Sequence, residues 1–296
     1  MQRIEAVKRK IKSSKDLLSI VKTMKVLAAV SIRQYEEAAG AVRQYFDTVE
    51  RGLQILFRKH RGLMEEALHS TEKQSVMIIF GSGQPMCGQF NQVLASYVKE
   101  RLEEGLEDPP SKMVTMGYRI ASTLQNHGLE PDKIVEVPNS VSAISERVEE
   151  LVLMLERWYT GDRYQKIILF NNRPVSQSSF IPVRHQVLPI DRDWLESIQS
   201  RPWPTNQLPT YSMASEELLS QLLRQYIFVS IYKSFAESLS SEQGSRLESM
   251  QVAEQKIEEH LSTLNRDYHQ KRQSDITEEI IDIMAGFEVL SAEESP

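Results

Sequence analysis

The fold is decided by residues 4–56, IEAVKRKIKSSKDLLSIVKTMKVLAAVSIRQYEEAAGAVRQYFDTVERGLQIL. Counted in sevens from Ile4, the a and d positions are apolar except at Ser14 and Lys25. Apolar residues every ~3.5 positions keep one stripe of a helix facing a partner, which is typical of a coiled coil. We therefore predict one continuous helix, about 85 Å long at ~1.5 Å per residue, part of which projects from any compact domain. The a and d positions are Ile4, Val7, Ile11, Ser14, Leu18, Val21, Lys25, Ala28, Ile32, Tyr35, Ala39, Val42, Phe46, Val49, Leu53 and Leu56.

A second arm at the C-terminus carries matching seams. Every internal proline lies between Pro85 and Pro209, so both arms lack the residue that breaks helices. The polar residues Lys233 and Glu254 weaken the second seam, which indicates an irregular coil or one that meets other proteins part-way. The seam residues are Leu219, Leu222, Tyr226, Val229, Lys233 and Ala236, then Leu247, Met250, Glu254, Ile257, Leu261, Leu264 and Tyr268 after a Ser/Gly-containing stretch, then Ile276, Ile280, Ile283, Phe287 and Leu290. We predict an antiparallel coiled coil of residues 1–62 with residues 210–290.

The middle segment, residues 74–209, alternates between strand and helix patterns. Short apolar runs predict strands, and 3.6-residue periodicity predicts the helices between them. The resulting order indicates a Rossmann-like α/β domain with a mostly parallel sheet. Strands are predicted at 75–80, 113–116, 133–137, 166–170 and 180–188, and helices at 91–104, 118–126 and 141–159. The predicted fold class is thus a long antiparallel coiled coil combined with an α/β domain.

The charge of the chain is unevenly distributed. Residues 1–33 carry nine Lys/Arg against Glu5 and Asp16, whereas residues 210–296 carry sixteen Asp/Glu against seven Lys/Arg. A basic segment can bind nucleic acid or an anionic surface. Because this one lacks interleaved aromatic residues and keeps a strict apolar seam, pairing with the acidic arm or with an acidic partner is favoured. We expect no nucleic-acid partner.

Composition argues against a disulfide-stabilised, a secreted and a membrane-spanning protein. The single Cys87 rules out an internal disulfide, and the first residues lack the apolar core of a secretory signal. No stretch approaches ~18 uncharged apolar residues, so we expect no direct membrane span.

The turn after the first strand, GSGQPMCGQFN at residues 81–91, resembles a phosphate-binding loop only superficially. Gln89 and Phe90 stand where a P-loop needs Lys and Ser/Thr, so nothing reaches the phosphates or ligates Mg²⁺. The glycines are better explained by a tight turn. The six histidines are scattered, and Cys87 is interpreted as a small buried side chain. No catalytic residue, cofactor or metal is expected.

Four motifs, in the correct order along the chain, resemble the γ subunit of F-type ATP synthases. They are SIVKTMKVLAA at residues 19–29 followed by Ser31 and Arg33, CGQFN at 87–91, SEQ at 241–243 with Arg246 and Met250, and YHQKRQSDITEEIIDIMAG at 268–286. The resemblance implies a non-catalytic central-stalk rotor, one copy per complex, coupling c-ring rotation to conformational change in the α3β3 head. It also implies contacts with the ε subunit and a peripheral location on the cytoplasmic face of the bacterial inner membrane. The alternatives are a coiled-coil scaffold or adaptor without a rotary role, and a small-molecule-binding α/β enzyme.

The resemblance further implies polar contacts with a β-subunit loop at Arg272, Gln273 and Thr277. For Arg272 and Gln273, the competing interpretation is a solvated helix face. Met24 and Lys25 match the segment close to the acidic lever of a β subunit. Lys25 also occupies a seam position. The alternative to a β-subunit contact is therefore that its side chain extends to solvent or sets the register of the coil.

The last part of the C-terminal arm is apolar on more than one face, which requires surroundings on several sides. The resemblance implies that Ile280, Ile283 and Phe287 lie in the apolar collar at the top of the α3β3 head. The competing interpretation is that this end folds back on the α/β domain.

The chain also departs from the family pattern. Residues 81–88 lack the usual Asp, Arg and central Gly, and residues 211–215 read YSMAS where an acidic, proline-containing motif is usual. These departures indicate a divergent branch, for which the γ subunit of the N-type bacterial F-ATPases is the candidate. The paired regulatory cysteines of the chloroplast form are missing, so we expect no thiol switch within this subunit.

Overall fold

The computed structural model describes residues 2–60, 62, 74–161, 166–203 and 205–293, with the backbone alone at 2, 3, 159–161, 282 and 285–293. Two compact units are present. One contains the residues up to 27 together with those from 249 onward, and the other contains residues 28–248.

Two long helices dominate the secondary structure. Helix α1 spans Gln2–Lys59 and helix α6 spans Ser215–Glu293, which are 58 and 79 residues. The absence of proline from both arms permits this continuity. The Ser/Gly-containing stretch at residues 240–245 does not interrupt α6. None of the helices in the described ranges combines the length and apolarity that crossing a bilayer requires.

In the first unit, the two terminal helices pair in antiparallel orientation. Lys8 Nζ lies 6.0 Å from the centre of the Tyr268 ring, and Lys22 Nζ lies 3.0 Å from Glu258 Oε1. Successive contact residues of α1 thus meet progressively earlier residues of α6, as in an antiparallel pair. The seam side chains Val7, Val21, Met250, Leu261 and Leu264 are buried. The predicted antiparallel coil is confirmed.

The second unit is built on a five-stranded sheet in the order β3-β2-β1-β4-β5. The pairs β1–β2, β1–β4 and β2–β3 are parallel, and β5 runs antiparallel to β4. This confirms the mostly parallel sheet. The strands are β1 Ser75–Phe80, β2 Lys112–Met116, β3 Lys133–Val135, β4 Lys166–Pro174 and β5 Phe180–Leu188.

Four shorter helices complete this unit: α2 Phe90–Glu103, α3 Tyr118–Asn126, α4 Val141–Gly161 and α5 Arg192–Ser200. Helix α5 was not predicted. It begins at an N-cap, Asp191, whose Oδ1 accepts a 3.0 Å hydrogen bond from the main-chain nitrogen of Trp194. Strand β3 ends at Val135 rather than at the predicted Val137.

Helices cover both faces of the sheet. One face packs Met77 and Ile79 against α2 and α3. The other packs Ile78 and Phe80 against α4 and the second-unit parts of α1 and α6. Phe80 meets Phe235 of α6 edge to face, with ring centres 4.8 Å apart, and burying such a ring contributes about 1.5–3 kcal/mol. The terminal helices are therefore part of the core of the α/β domain.

Candidate functional site

Open α/β sheets bind ligands outside the carboxyl ends of their parallel strands. In this chain, one face of α6 lies at that edge. Ser238 Oγ donates a 2.8 Å hydrogen bond to the carbonyl oxygen of Phe80, the last residue of β1. Ser241 Oγ donates one of 3.1 Å to the carbonyl of Asn172 in β4. The place that a nucleotide takes in related folds is thus filled by the protein itself.

The glycine-containing turn at residues 81–91 is shaped by packing. A Cβ at Gly81 would lie 2.2 Å from Ile120 Cβ, and one at Gly117 would lie 2.3 Å from the carbonyl oxygen of Ser82. Gly117 also has a φ of 109°, which L side chains rarely adopt. Asn91 holds the turn, since its Oδ1 accepts from Ser82 N at 2.9 Å and its Nδ2 donates to Ser82 Oγ at 2.7 Å. These contacts agree with the interpretation of the glycines as turn residues.

Cys87 lies inside the same turn and is 4% exposed. Burial raises the pKa of its thiol, and the hydrogen bond with Ser82 opposes that shift only partly. The side chain is therefore a protonated thiol at neutral pH rather than a nucleophilic thiolate. Among the described residues, no three His, Cys, Asp or Glu side chains come together as a metal site.

A buried ion pair links the turn to α6. Arg246 Nη2 lies 2.6 Å from Glu242 Oε1, and each side chain is 6% exposed. Burial raises the pKa of Glu242, while the charge of Arg246 opposes the rise. Arg246 Nη2 also donates a 3.5 Å hydrogen bond to the carbonyl of Pro85. Both residues belong to the third of the motifs described above, which therefore joins α6 to the α/β domain.

Lys25 and Met24 lie half-buried in the coil of the first unit. Lys25 Nζ pairs with Glu254 Oε2 at 2.5 Å, and Lys22 Nζ lies 3.6 Å from the other carboxylate oxygen, Glu254 Oε1. The hydrogen bond from Lys25 lowers the pKa of Glu254. One polar residue that interrupts the seam of α1 thus meets one that interrupts the seam of α6.

The predicted polar contact residues near the end of α6 face solvent. Arg272, Gln273 and Thr277 are exposed. Thr277 Oγ1 donates a 2.9 Å hydrogen bond to the carbonyl of Gln273, one turn earlier in the same helix. The side chains of Arg272 and Gln273 are therefore free to reach a partner.

The apolar residues that follow are exposed as well. Ile280 and Ile283 are 52% and 63% exposed. Ile276, Ile281 and Met284 share this exposure. Phe287 lies within α6, but its side chain is outside the described residues. A run of large apolar side chains in water marks a surface that a partner covers.

Sequence reasoning missed a second apolar stripe on α1. Leu17, Ile20 and Leu27 are 45%, 54% and 61% exposed, and Met24 falls between them at helical spacing. Intervals of three, four and three residues place all four on one face. The apolar spacing of these four residues was present in the sequence, but the stripe lies beside the stronger a/d seam. The two can be told apart only once the structure shows that the seam is buried.

Comparison with known proteins agrees with these features. Residues 3–290 match the family model described as ATP synthase. The ATP synthase gamma chain of Brevibacillus brevis is 26% identical over 287 residues, covering 96% of this chain and 97% of the relative. That of Pelagibacter ubique is 26% identical over 301 residues, covering 98% and 100%.

Solved structures share the fold. A chain of the Euglena gracilis mitochondrial ATP synthase, described as OSCP/F1/c-ring in rotational state 3, aligns with a TM-score of 0.64 at 14% identity, covering 100% of this chain and 97% of that one. A chain of the Tetrahymena thermophila mitochondrial ATP synthase, described as central stalk/c-ring, aligns with a TM-score of 0.56 at 18% identity, covering 79% and 99%. An α/β domain between two long helices that pair with each other is thus an architecture found in ATP synthase assemblies. The chain belongs to the gamma-subunit family of the F-type ATP synthases.

Proposed function

We propose that this subunit is the central-stalk rotor of its complex and couples c-ring rotation to conformational change in the α3β3 head. It carries no catalytic group of its own. It acts by differential contact, because one asymmetric surface meets three chemically identical β subunits in three orientations and biases each toward a different state.

The observation that carries this proposal is the exposed apolar surface of the paired terminal helices. Ile280 and Ile283 lie near one end of α6, and Leu17, Ile20 and Leu27 lie on α1. Side chains of this size are normally covered, and a coil that already buries its own seam needs another protein to cover them. The apolar collar of the head is the partner that fits Ile280, Ile283 and Phe287.

Polar contacts complete the proposed interface with the head. Arg272, Gln273 and Thr277 are exposed one to three turns before the apolar end and would meet a β-subunit loop. Met24 would contact the β-subunit lever together with the stripe of α1. For Lys25 the ion pair with Glu254 favours a role in register, with any contact to the lever made through the pair as a whole.

The remaining assignments follow from the family. The partners would be one α3β3 head, the ε subunit and the c-ring, with one copy of this chain at the cytoplasmic face of a bacterial inner membrane. The chain is proposed to function as three segments, 1–62, 74–209 and 210–290. Membership of the N-type branch stays a prediction.

Reconstitution with cognate α and β subunits tests the proposal. We expect ATPase activity to appear in the mixture and the rotor to turn when ATP is supplied. A scaffold or adaptor would bind the same subunits without producing activity. A small-molecule enzyme would instead show a ligand-dependent shift in melting temperature for the isolated chain.

A further inference from the structure

We propose that Ser238, Ser241 and Ser245 form a hydroxyl ladder that transmits torque between the α/β domain and helix α6. This inference rests on the proposed rotor function and names the residues through which the domain would grip the helix. They are positioning residues, since their hydroxyls bond main-chain oxygens of this chain.

The ladder is defined by three hydrogen bonds to main-chain oxygens. Ser238 Oγ donates to Phe80 and Ser241 Oγ to Asn172, and Ser245 Oγ donates to Cys87 at 2.7 Å. Intervals of three and four residues place the three hydroxyls on one face of α6. The acceptors lie at the end of β1, in β4 and in the turn at residues 81–91. One helix face is thus tied to three separate parts of the domain.

The side chains of the ladder are shielded from water. Ser238 and Ser241 are each 3% exposed and Ser245 is 6% exposed. A buried hydroxyl that lost its partner would keep its desolvation penalty without compensation, so breaking any of these hydrogen bonds is unfavourable.

Two further contacts close the ladder. A Cβ at Gly244 would lie 2.6 Å from the carbonyl oxygen of Gln177, so the missing side chain lets the backbone of α6 approach the β4–β5 hairpin. The buried Arg246–Glu242 pair reaches Pro85 on the turn. The helix is therefore held along about two turns, from residue 238 to residue 246.

The three hydrogen bonds add a directional restraint to the apolar packing of α6 on the domain. The hydrophobic effect is non-directional, so apolar burial by itself sets no preferred rotation of α6 about its axis. A hydrogen bond weakens steeply as its angle departs from linearity. The acceptors are main-chain carbonyls held by the sheet and its adjoining turn, so they cannot follow the helix as flexible side chains would. Turning α6 against the domain would strain all three bonds at once.

The test compares the Ser238→Ala/Ser241→Ala/Ser245→Ala variant with wild type in a reconstituted α3β3γ complex. A probe is attached to the α/β domain through Asn126→Cys, an exposed site at the end of α3. The angular variance of the probe during the ATP-waiting pause reports torsional stiffness. We expect the variance to rise roughly twofold while ATPase activity stays at the wild-type level, because the lost bonds lie outside the head contacts. Ser220→Ala, an exposed serine of the same helix, is the matched control and should leave the variance unchanged.

The outcomes separate the ladder from the rotor proposal. Wild-type variance in the triple variant, in complexes that rotate, would overturn the ladder alone. Failure of the wild-type chain to rotate or to activate the head would overturn the proposed function and the torque role together. If the triple variant does not fold, the single variant Ser241→Ala is tested instead. A probe variance for Ser241→Ala equal to that of Ser220→Ala would then overturn the ladder.

Discussion

Lys25 Nζ lies 2.5 Å from Glu254 Oε2, so the charged residue in the seam of α1 meets an oppositely charged residue in the seam of α6. Their side chains are 32% and 16% exposed. Each would weaken the coil if it faced an apolar seam. Sliding one helix by a turn would separate the charges, so the pair specifies register as polar a-position residues do in other coiled coils.

Removing either member of this pair should lower the thermal stability of the coil. We expect Lys25→Ala and Glu254→Ala each to lower Tm, and the double variant to lower it by less than the sum, since the second change removes a charge already unpaired. The coupling should shrink in high salt because the pair is partly exposed. Lys15→Ala, at an exposed position of the same helix, is the control, and additive single and double effects would contradict a register role.

The same pair should make the coil sensitive to acid. The hydrogen bond from Lys25 lowers the pKa of Glu254 in the folded chain. A lowered carboxyl pKa contributes stability above the unfolded-state value and loses it as the pH falls through the folded-state value. Circular dichroism melts from pH 7 down to pH 2 should therefore show a smaller loss of Tm for Glu254→Gln than for wild type. Equal losses would show that the carboxylate has no special partner.

Glu107 should stabilise the α/β domain through ion pairs with several basic side chains. Its side chain is 2% exposed and contacts Arg184, Lys166 at 3.3 Å and Arg101 at 3.7 Å. Burial would raise the pKa of Glu107, but the hydrogen bond and charge of Arg184, together with Lys166, lower it overall. We expect Glu107→Gln to cost about 1–3 kcal/mol at pH 7 in urea unfolding.

This cost should disappear in acid, because the wild-type carboxylate is lost as the pH falls through its lowered pKa. The exposed neighbour Glu104 offers a control, and Glu104→Gln should stay within about 0.5 kcal/mol of wild type. A Glu107→Gln variant as stable as wild type at pH 7 would show that these ion pairs do not stabilise the domain.

Two helical glycines should respond in opposite directions to alanine. Gly244→Ala places a methyl group 2.6 Å from a main-chain oxygen and should cost about 1–3 kcal/mol by forcing α6 off the hairpin. Gly40 has nothing within 4 Å of a built Cβ, so Gly40→Ala should stabilise α1 by up to about 1 kcal/mol. Chemical unfolding of both variants checks this, and the same sign for both would exclude the close approach as the cause.

The polar contacts with the head are testable in the assembled complex. We expect Arg272→Ala/Gln273→Ala to reduce ATPase turnover roughly two- to fivefold, since lost contacts worth about 0.5–1 kcal/mol in the rate-limiting state have that effect. The isolated chain should melt as wild type does, because both side chains are exposed. Lys271→Ala, on a different face of the same turn, is the control. Unchanged turnover would remove Arg272 and Gln273 from the interface.

The apolar end of α6 should matter for assembly and not for the free chain. Ile280→Asp/Ile283→Asp changes residues that are 52% and 63% exposed, so the isolated chain should keep its Tm. In the complex, burying two carboxylates in an apolar collar would carry a large desolvation penalty. Size-exclusion chromatography should show less α3β3γ complex for this variant than for Glu279→Ala. Wild-type yields would place the apolar end outside the collar.

The sequence alone determined the local architecture of this protein. Proline-free arms with an apolar residue every ~3.5 positions predict two helices that pair, and the seam of α1 is buried or half-buried throughout. Short apolar runs marked the strands, and the helix at 118–126 was predicted with its observed bounds. These features follow from periodicities and chain breakers that act within a few residues of each other, so the sequence displays them directly.

Only the tertiary structure decided which distant groups meet. The sequence named Lys25 and Glu254 as separate interruptions, but these residues are 229 positions apart in the chain and their pairing depends on the register of the two helices. The Ser/Gly-containing stretch looked like a gap in a seam, but it packs on the α/β domain, where Ser241 and Ser245 donate to the main-chain oxygens of Asn172 and Cys87. Helix α5 and the ion pairs of Glu107 were likewise not predicted from the sequence. A hydrogen bond or ion pair needs two partners in one place, and for residues far apart in sequence that place is set by the folded topology.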